Sequence, residues 1–146
     1  MAKIEPGTWI VICDGRKWLI FENVGGMGAT KLRLTDQFEQ ANPPTREQGS
    51  DAPPRVHESS GHARSAVAQT DWHDEAEQKF LADLAHHLDA SVHAGKARKL
   101  IIAAPPRALG MIRKHYSERV KSALRLEIDK DLVKSPVREI EEMLST

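Results

Sequence analysis

Lys99-Leu-Ile-Ile-Ala-Ala-Pro-Pro-Arg107-Ala-Leu-Gly-Met-Ile-Arg113 is the stretch from which the architecture can be read outward. Leu100, Ile101, Ile102 and Ala103 are apolar at consecutive positions, the pattern of a strand buried on both faces of a parallel or mixed sheet covered by helices. Pro105 has no N–H to give a sheet ladder, and Pro106 has the fixed φ suited to a first helical turn, so the chain leaves the sheet there and enters a helix. Ligands of open α/β sheets sit outside the carboxyl ends of such strands, which puts Arg107 where a site is expected. The plain alternative is that the junction is only a connection.

Towards the N-terminus, Thr8 to Asp14 and Lys17 to Asn23 form two strands, and Asp14-Gly15 predicts a tight hairpin with both central residues at positive φ. Strand two carries Trp18 and Ile20 on one side and Leu19 and Phe21 on the other, so its sheet is covered twice. Gly25-Gly26 is read as a hairpin loop and not a phosphate cradle, because no helix follows it. Lys31, Arg33 and Thr35 alternate with Leu32, Leu34 and Asp36 in an amphipathic third strand near an edge. The main helix is predicted from a cap at Asp71, with Asp74, Glu75 and Glu77 near its positive end and Ala76, Phe80, Leu84 and Leu88 along its apolar stripe, to about Ala94. After the fourth strand, a helix places Leu109, Ile112 and Tyr116 on one face; Leu124, Leu126 and Ile128 mark a fifth strand, and Ser135-Pro136 starts a last helix through Ile140 and Leu144. The expected fold is α/β: a five-stranded mixed sheet, antiparallel meander then parallel strands, with helices on its faces, in a single domain over residues 1–146.

Residues 40–70 break this regularity. Pro43, Pro44, Pro53 and Pro54, with Gly49, Gly61, several Ser and Ala and little large apolar content, predict a long flexible loop between strand three and the main helix. It holds Arg46, Arg55, Arg64, His57 and His62, groups able to meet an anion or move a proton. A solvated loop without function is the competing reading.

Composition narrows the classes. The 146 residues carry no net charge and one cysteine, Cys13, whose apolar neighbours predict an inert core thiol. No stretch approaches the ~20 apolar residues of a membrane span and no leader-like segment opens the chain, so no membrane insertion and a cytoplasmic location are expected. Charge is uneven: Lys96 to Lys121 has eight Lys or Arg and one acid, while Asp71 to Asp89 has six acids and one Lys. Arg107, Arg113 and Lys114 are therefore candidate contacts for nucleic acid or another acidic partner, with merely solvated charged faces as the alternative. Seven histidines lack metal-ligand spacing, and the strand-end acids Asp14, Asp129 and Asp131 are explained by turns, so no metal or cofactor is assigned.

Val11-Ile-Cys-Asp-Gly with Trp18-Leu-Ile-Phe-Glu-Asn, His73-Asp-Glu-Ala-Glu-Gln-Lys-Phe, the Leu100 to Gly110 stretch and Glu127-Ile-Asp-Lys-Asp-Leu, in that order, resemble the bacterial host-attachment protein family over nearly the whole chain. The element order is also similar to the central domain of archaeal and eukaryotic peptide-chain release factors, which implies an RNase H-like fold. In those factors the loop before the main helix carries a Gly-Gly-Gln that enters the peptidyl-transferase centre. Here that loop has no Gly-Gly-Gln, and Gly25-Gly26-Met27 lies in a different one. The resemblance implies His62 and Gln69 as the candidates for positioning a water, and Arg46, Arg55 and Arg64 for RNA phosphates. Three functions follow as expectations: a non-catalytic interaction domain for host attachment with an unidentified protein partner; a factor that binds the ribosome or tRNA and hydrolyses peptidyl-tRNA; and a metal-dependent nuclease.

Overall fold

A computed structural model describes residues 4–26, 28–41 and 58–145, with side chains of the main helix from His73 onward. Its elements are β1 (Trp9–Cys13), β2 (Lys17–Asn23), β3 (Leu32–Glu39), α1 (Glu58–His93), β4 (Leu100–Ala104), α2 (Pro106–Arg113), α3 (Glu118–Ala123), β5 (Leu124–Asp129) and α4 (Val137–Ser145). The strands form one sheet in the order β3-β2-β1-β4-β5. β1 pairs with β2, and β2 with β3, antiparallel; β1 with β4, and β4 with β5, are parallel. The meander followed by parallel strands is thus as expected, and the order is compatible with an RNase H-like scaffold. All five residues of β4 are buried, because β1 and β5 flank it and helices lie above and below.

The two faces have separate cores. On one, Phe80, Leu81, Leu84 and Leu88 of α1, Leu109 and Ile112 of α2 and Val120 of α3 pack with Val11, Trp18, Ile20, Leu100 and Ile102. On the other, Ile140 and Leu144 of α4 pack with Ile10, Ile12, Phe21, Ile101 and Ala103. Each fully buried aliphatic side chain contributes about 1.5–3 kcal/mol. Among the described residues no helix is long and apolar enough to cross a membrane.

Four local expectations are corrected. The main helix starts at Glu58 and not Asp71, which leaves residues 40–57 between it and β3. No proline follows Pro54 until Pro105, and Ala63, Ala66 and Ala68 are strong helix formers; the scarcity of large apolar residues there bears on burial, not on helicity. At the first hairpin, Gly15 is not at positive φ. The turn is instead held by Asp14, whose Oδ1 accepts from the backbone N–H of Arg16 and of Lys17, each at 2.8 Å. α2 stops at Arg113, so Tyr116 lies beyond it, and a separate α3 follows, capped by Ser117, whose Oγ accepts from Val120 N–H at 3.1 Å. Finally, Ile20 faces Asp36 while Phe21 faces Leu34, which leaves Thr35 as a bulged residue. The alternation of β3 reverses there, with Leu32 and Leu34 on the α4 side and Asp36 and Phe38 on the α1 side.

Candidate functional site

The carboxyl end of the central strands is where a ligand is expected. Pro105 is extended (φ −62°, ψ 156°), its carbonyl accepts from Leu109 N–H at 2.8 Å, and Pro106 opens α2, so Arg107 stands in the first helical turn. Its guanidinium is already engaged: it donates to Asp74 of α1 and lies 3.4 Å from Glu77. Glu77 also packs against the β1–β2 turn, where a Cβ on Gly15 would come within 2.8 Å of its side chain. Arg107 therefore ties α2 to α1 near that turn. With one cation against two carboxylates, the arrangement has no positive charge left over for a phosphate. Among the described residues no group of three or more His, Cys, Asp or Glu is placed to hold a metal ion.

Arg113 is engaged as well. Its Nε and an Nη donate to Glu127 Oε1 at 3.0 and 2.7 Å, and the Tyr116 hydroxyl donates to Glu127 Oε2 at 2.7 Å. These bonds, Arg113 first, hold the Glu127 carboxyl below the ordinary glutamate range. Burial, then the bond to Glu127, pushes the Tyr116 phenol far up. Burial, then Asp14, pushes the Cys13 thiol up to about 12, so it stays protonated at neutral pH and is a packing group, as expected.

The opposite, amino end of β4 is different. Asp89 of α1 accepts from Ser117 Oγ at 2.6 Å and lies 3.8 Å from Arg119. These residues line a cleft of about 530 Å³ with Val92, Arg98, Ser122 and Ala123. Arg98 also lines a second cleft of about 360 Å³ on the side of Gly7, Thr8 and Lys99. Lys99 donates to Glu5, whereas Lys96, Arg98 and Lys114 are exposed and make no ion pair among the described residues. Two cations of the basic segment are thus met by the acidic one: Asp74 and Glu77 face Arg107, and Asp89 faces Arg119.

Of the other predicted residues, His62, Arg64 and Gln69 fall on the amino-terminal turns of α1, His62 and Gln69 two turns apart, whereas Arg46, Arg55 and His57 lie outside the described residues. Two polar positions were missed from the sequence. Asn23 is fully buried, accepts through Oδ1 from Gly25 and Lys31 N–H at 3.0 Å each, and donates to Ile4 carbonyl at 2.9 Å. Gly25-Gly26 is accordingly a fixed loop, with no room for a Cβ at Gly25, which would meet the Ala29 carbonyl at 2.2 Å. His87 stacks on Trp18 with ring centres 5.3 Å apart and places Nε2 3.6 Å from Asp36, beside the half-exposed Phe38. An Asn closing a strand before Gly-Gly, and an Asp within a half-apolar strand, were the available signals.

A family model described as bacterial archaeo-eukaryotic release factor family 12 matches residues 7–144. Among solved structures, a chain titled "Archaeal protein" matches with 16% identity and a TM-score of 0.44, over 94% of this chain and 36% of that one. This chain therefore spans little more than a third of that protein. No curated protein matches.

Proposed function

The chain belongs to bacterial archaeo-eukaryotic release factor family 12, and from that premise we propose that it is a factor that binds the ribosome or tRNA, acting in the cytoplasm where its partner is. The observation that carries this reading is the family match over residues 7–144. A second feature agrees with it: between β3 and the last turns of α1 that pack on the sheet lie residues 40–72, a polar segment that carries Arg46, Arg55 and Arg64 beside four acids and is long enough to reach a partner. In this reading Arg46, Arg55 and Arg64 contact RNA phosphates, and His62 or Gln69 positions a water at a peptidyl-tRNA ester in place of the absent Gly-Gly-Gln. The test is co-sedimentation with 70S and 50S ribosomes at low and moderate salt, with peptidyl-tRNA turnover measured in parallel. Binding that falls with salt, and falls further when Arg46, Arg55 and Arg64 are replaced by Ala, supports the reading. Turnover lost in His62→Ala or Gln69→Ala identifies the hydrolytic residue, and wild-type turnover in both removes hydrolysis by these groups.

The second reading, a non-catalytic domain that binds a protein partner and serves host attachment, is favoured by one observation: Arg107 and Arg113, the cations expected to meet an acidic ligand, are held by carboxylates of the same chain. Absence of ribosome binding at both salt concentrations would bring that reading forward.

A further inference from the structure

We infer that RNA phosphate is met at the amino end of β4, by Lys96 and Arg98 on the α1–β4 turn, and not at the carboxyl end where Arg107 stands; this rests on the ribosome- or tRNA-binding reading. The cations of Lys96 to Lys121 differ in what they face. Arg107, Arg113, Arg119 and Lys121 each have a carboxylate of the same chain within 4 Å. Lys96, Arg98 and Lys114 have none among the described residues; Lys114 follows α2 by itself, whereas Lys96 and Arg98 share one turn. A phosphate approaching them displaces no existing partner, whereas at Arg107 it must compete with both Asp74 and Glu77.

The turn is also built to hold these two side chains outward. Gly95 adopts φ +80°, Gly95 N–H donates to the Val92 carbonyl at 3.0 Å, and Lys96 and Ala97 N–H both donate to the Ser91 carbonyl at 3.0 and 3.2 Å. Ala97 is buried, and the exposed Lys96 and Arg98 stand on either side of it. Because the backbone is already fixed, only the two side chains need ordering on binding. Arg98 lines both clefts, of about 530 and 360 Å³, so it sits on the ridge between two grooves. The first groove also holds Ser117, bonded to Asp89, and Glu118, and the second holds Lys96, Glu22 and Lys99, which is bonded to Glu5. With those donors already engaged, the guanidinium of Arg98 and the ammonium of Lys96 are the groups that meet phosphates of an RNA strand.

The experiment measures binding of tRNA and of 70S ribosomes across a salt series for four full-length proteins: wild type, Lys96→Ala/Arg98→Ala, the charge-conserving Lys96→Arg/Arg98→Lys, and Arg107→Ala/Arg113→Ala, each checked by circular dichroism. Expected is a loss of about 5–10-fold at low salt for the first double variant, with a salt slope smaller by about one to two. The charge-conserving variant and the Arg107/Arg113 variant should stay within about twofold of wild type. Wild-type affinity in Lys96→Ala/Arg98→Ala, or a larger loss in the Arg107/Arg113 variant, overturns the inference and leaves RNA binding itself standing. No binding by the wild type overturns both.

Discussion

On one face of the sheet three helices cover Val11, Trp18, Ile20, Leu100 and Ile102; on the other the nine-residue α4, with Leu132 and Ile4 from irregular segments, covers Ile10, Ile12, Phe21 and Ile101. The difference separates what makes the fold from what completes it. α1, α2 and α3 are inserted between strands of the sheet, so they cannot leave it without undoing the parallel pairing of β1, β4 and β5. α4 follows the last strand and is held by Ile140 and Leu144, one turn apart, and by Glu141, whose Oε2 accepts from Leu32 N–H at 2.8 Å. It can detach while the sheet persists.

Leu84→Ala should lower global stability by about 2–5 kcal/mol, seen as a lower denaturation midpoint with an unchanged m-value. Ile140→Ala removes a similar volume, but its loss should be limited by the free energy of docking α4. Amide exchange should then quicken in residues 137–145 and stay slow in β1 and β4. Equal slowing or quickening in both sets of amides would break the comparison of the faces. A smaller effect is expected from Asn23→Ala, which leaves buried backbone groups of the β2–β3 loop unsatisfied: about 1–3 kcal/mol, with exchange quickening first at Gly25 and Lys31. The smallest concerns pH. Glu127 has a folded value below its ordinary one, so its contribution is present in full above the ordinary glutamate range of roughly 4.3 and is lost as pH falls through the lower folded value. Glu127→Gln should therefore flatten the acid limb of the stability curve below that range; an unchanged limb would show that Arg113 and Tyr116 do not set it.

The same contrast explains how far the sequence could be read. The buried run Leu100 to Ala103, the two-sided strand Lys17–Asn23 and the stripe Phe80, Leu84, Leu88 carry their periodicity in adjacent residues, and all three form as expected. α3 and the first turns of α1 were hidden because they bring few large apolar residues, and Thr35 because a bulge is a property of two strands together. Arg107 and Arg113 were found, but their partners were not: Asp74 and Glu127 lie 33 and 14 residues away, and only the fold brings them within reach. A cation in a sequence looks available until its neighbours in space are known. For the same reason Lys96 and Arg98, unremarked beside six other basic residues, are left open together with Lys114 among the described residues.

The bulge at Thr35 has one more effect. β3 is an outer strand with Leu34 and Phe38 partly exposed, the kind of border onto which a second chain can add a strand and begin aggregation. Thr35 turns its hydroxyl back to the Ile20 carbonyl at 3.1 Å and sends Leu34 and Phe38 to opposite sides, so an incoming strand finds neither a continuous ladder nor a continuous greasy stripe. One extra residue thereby interrupts the border, and deleting Thr35, which restores the ladder while leaving Leu34 and Phe38 on opposite sides, should leave a protein that folds and associates more readily than the wild type.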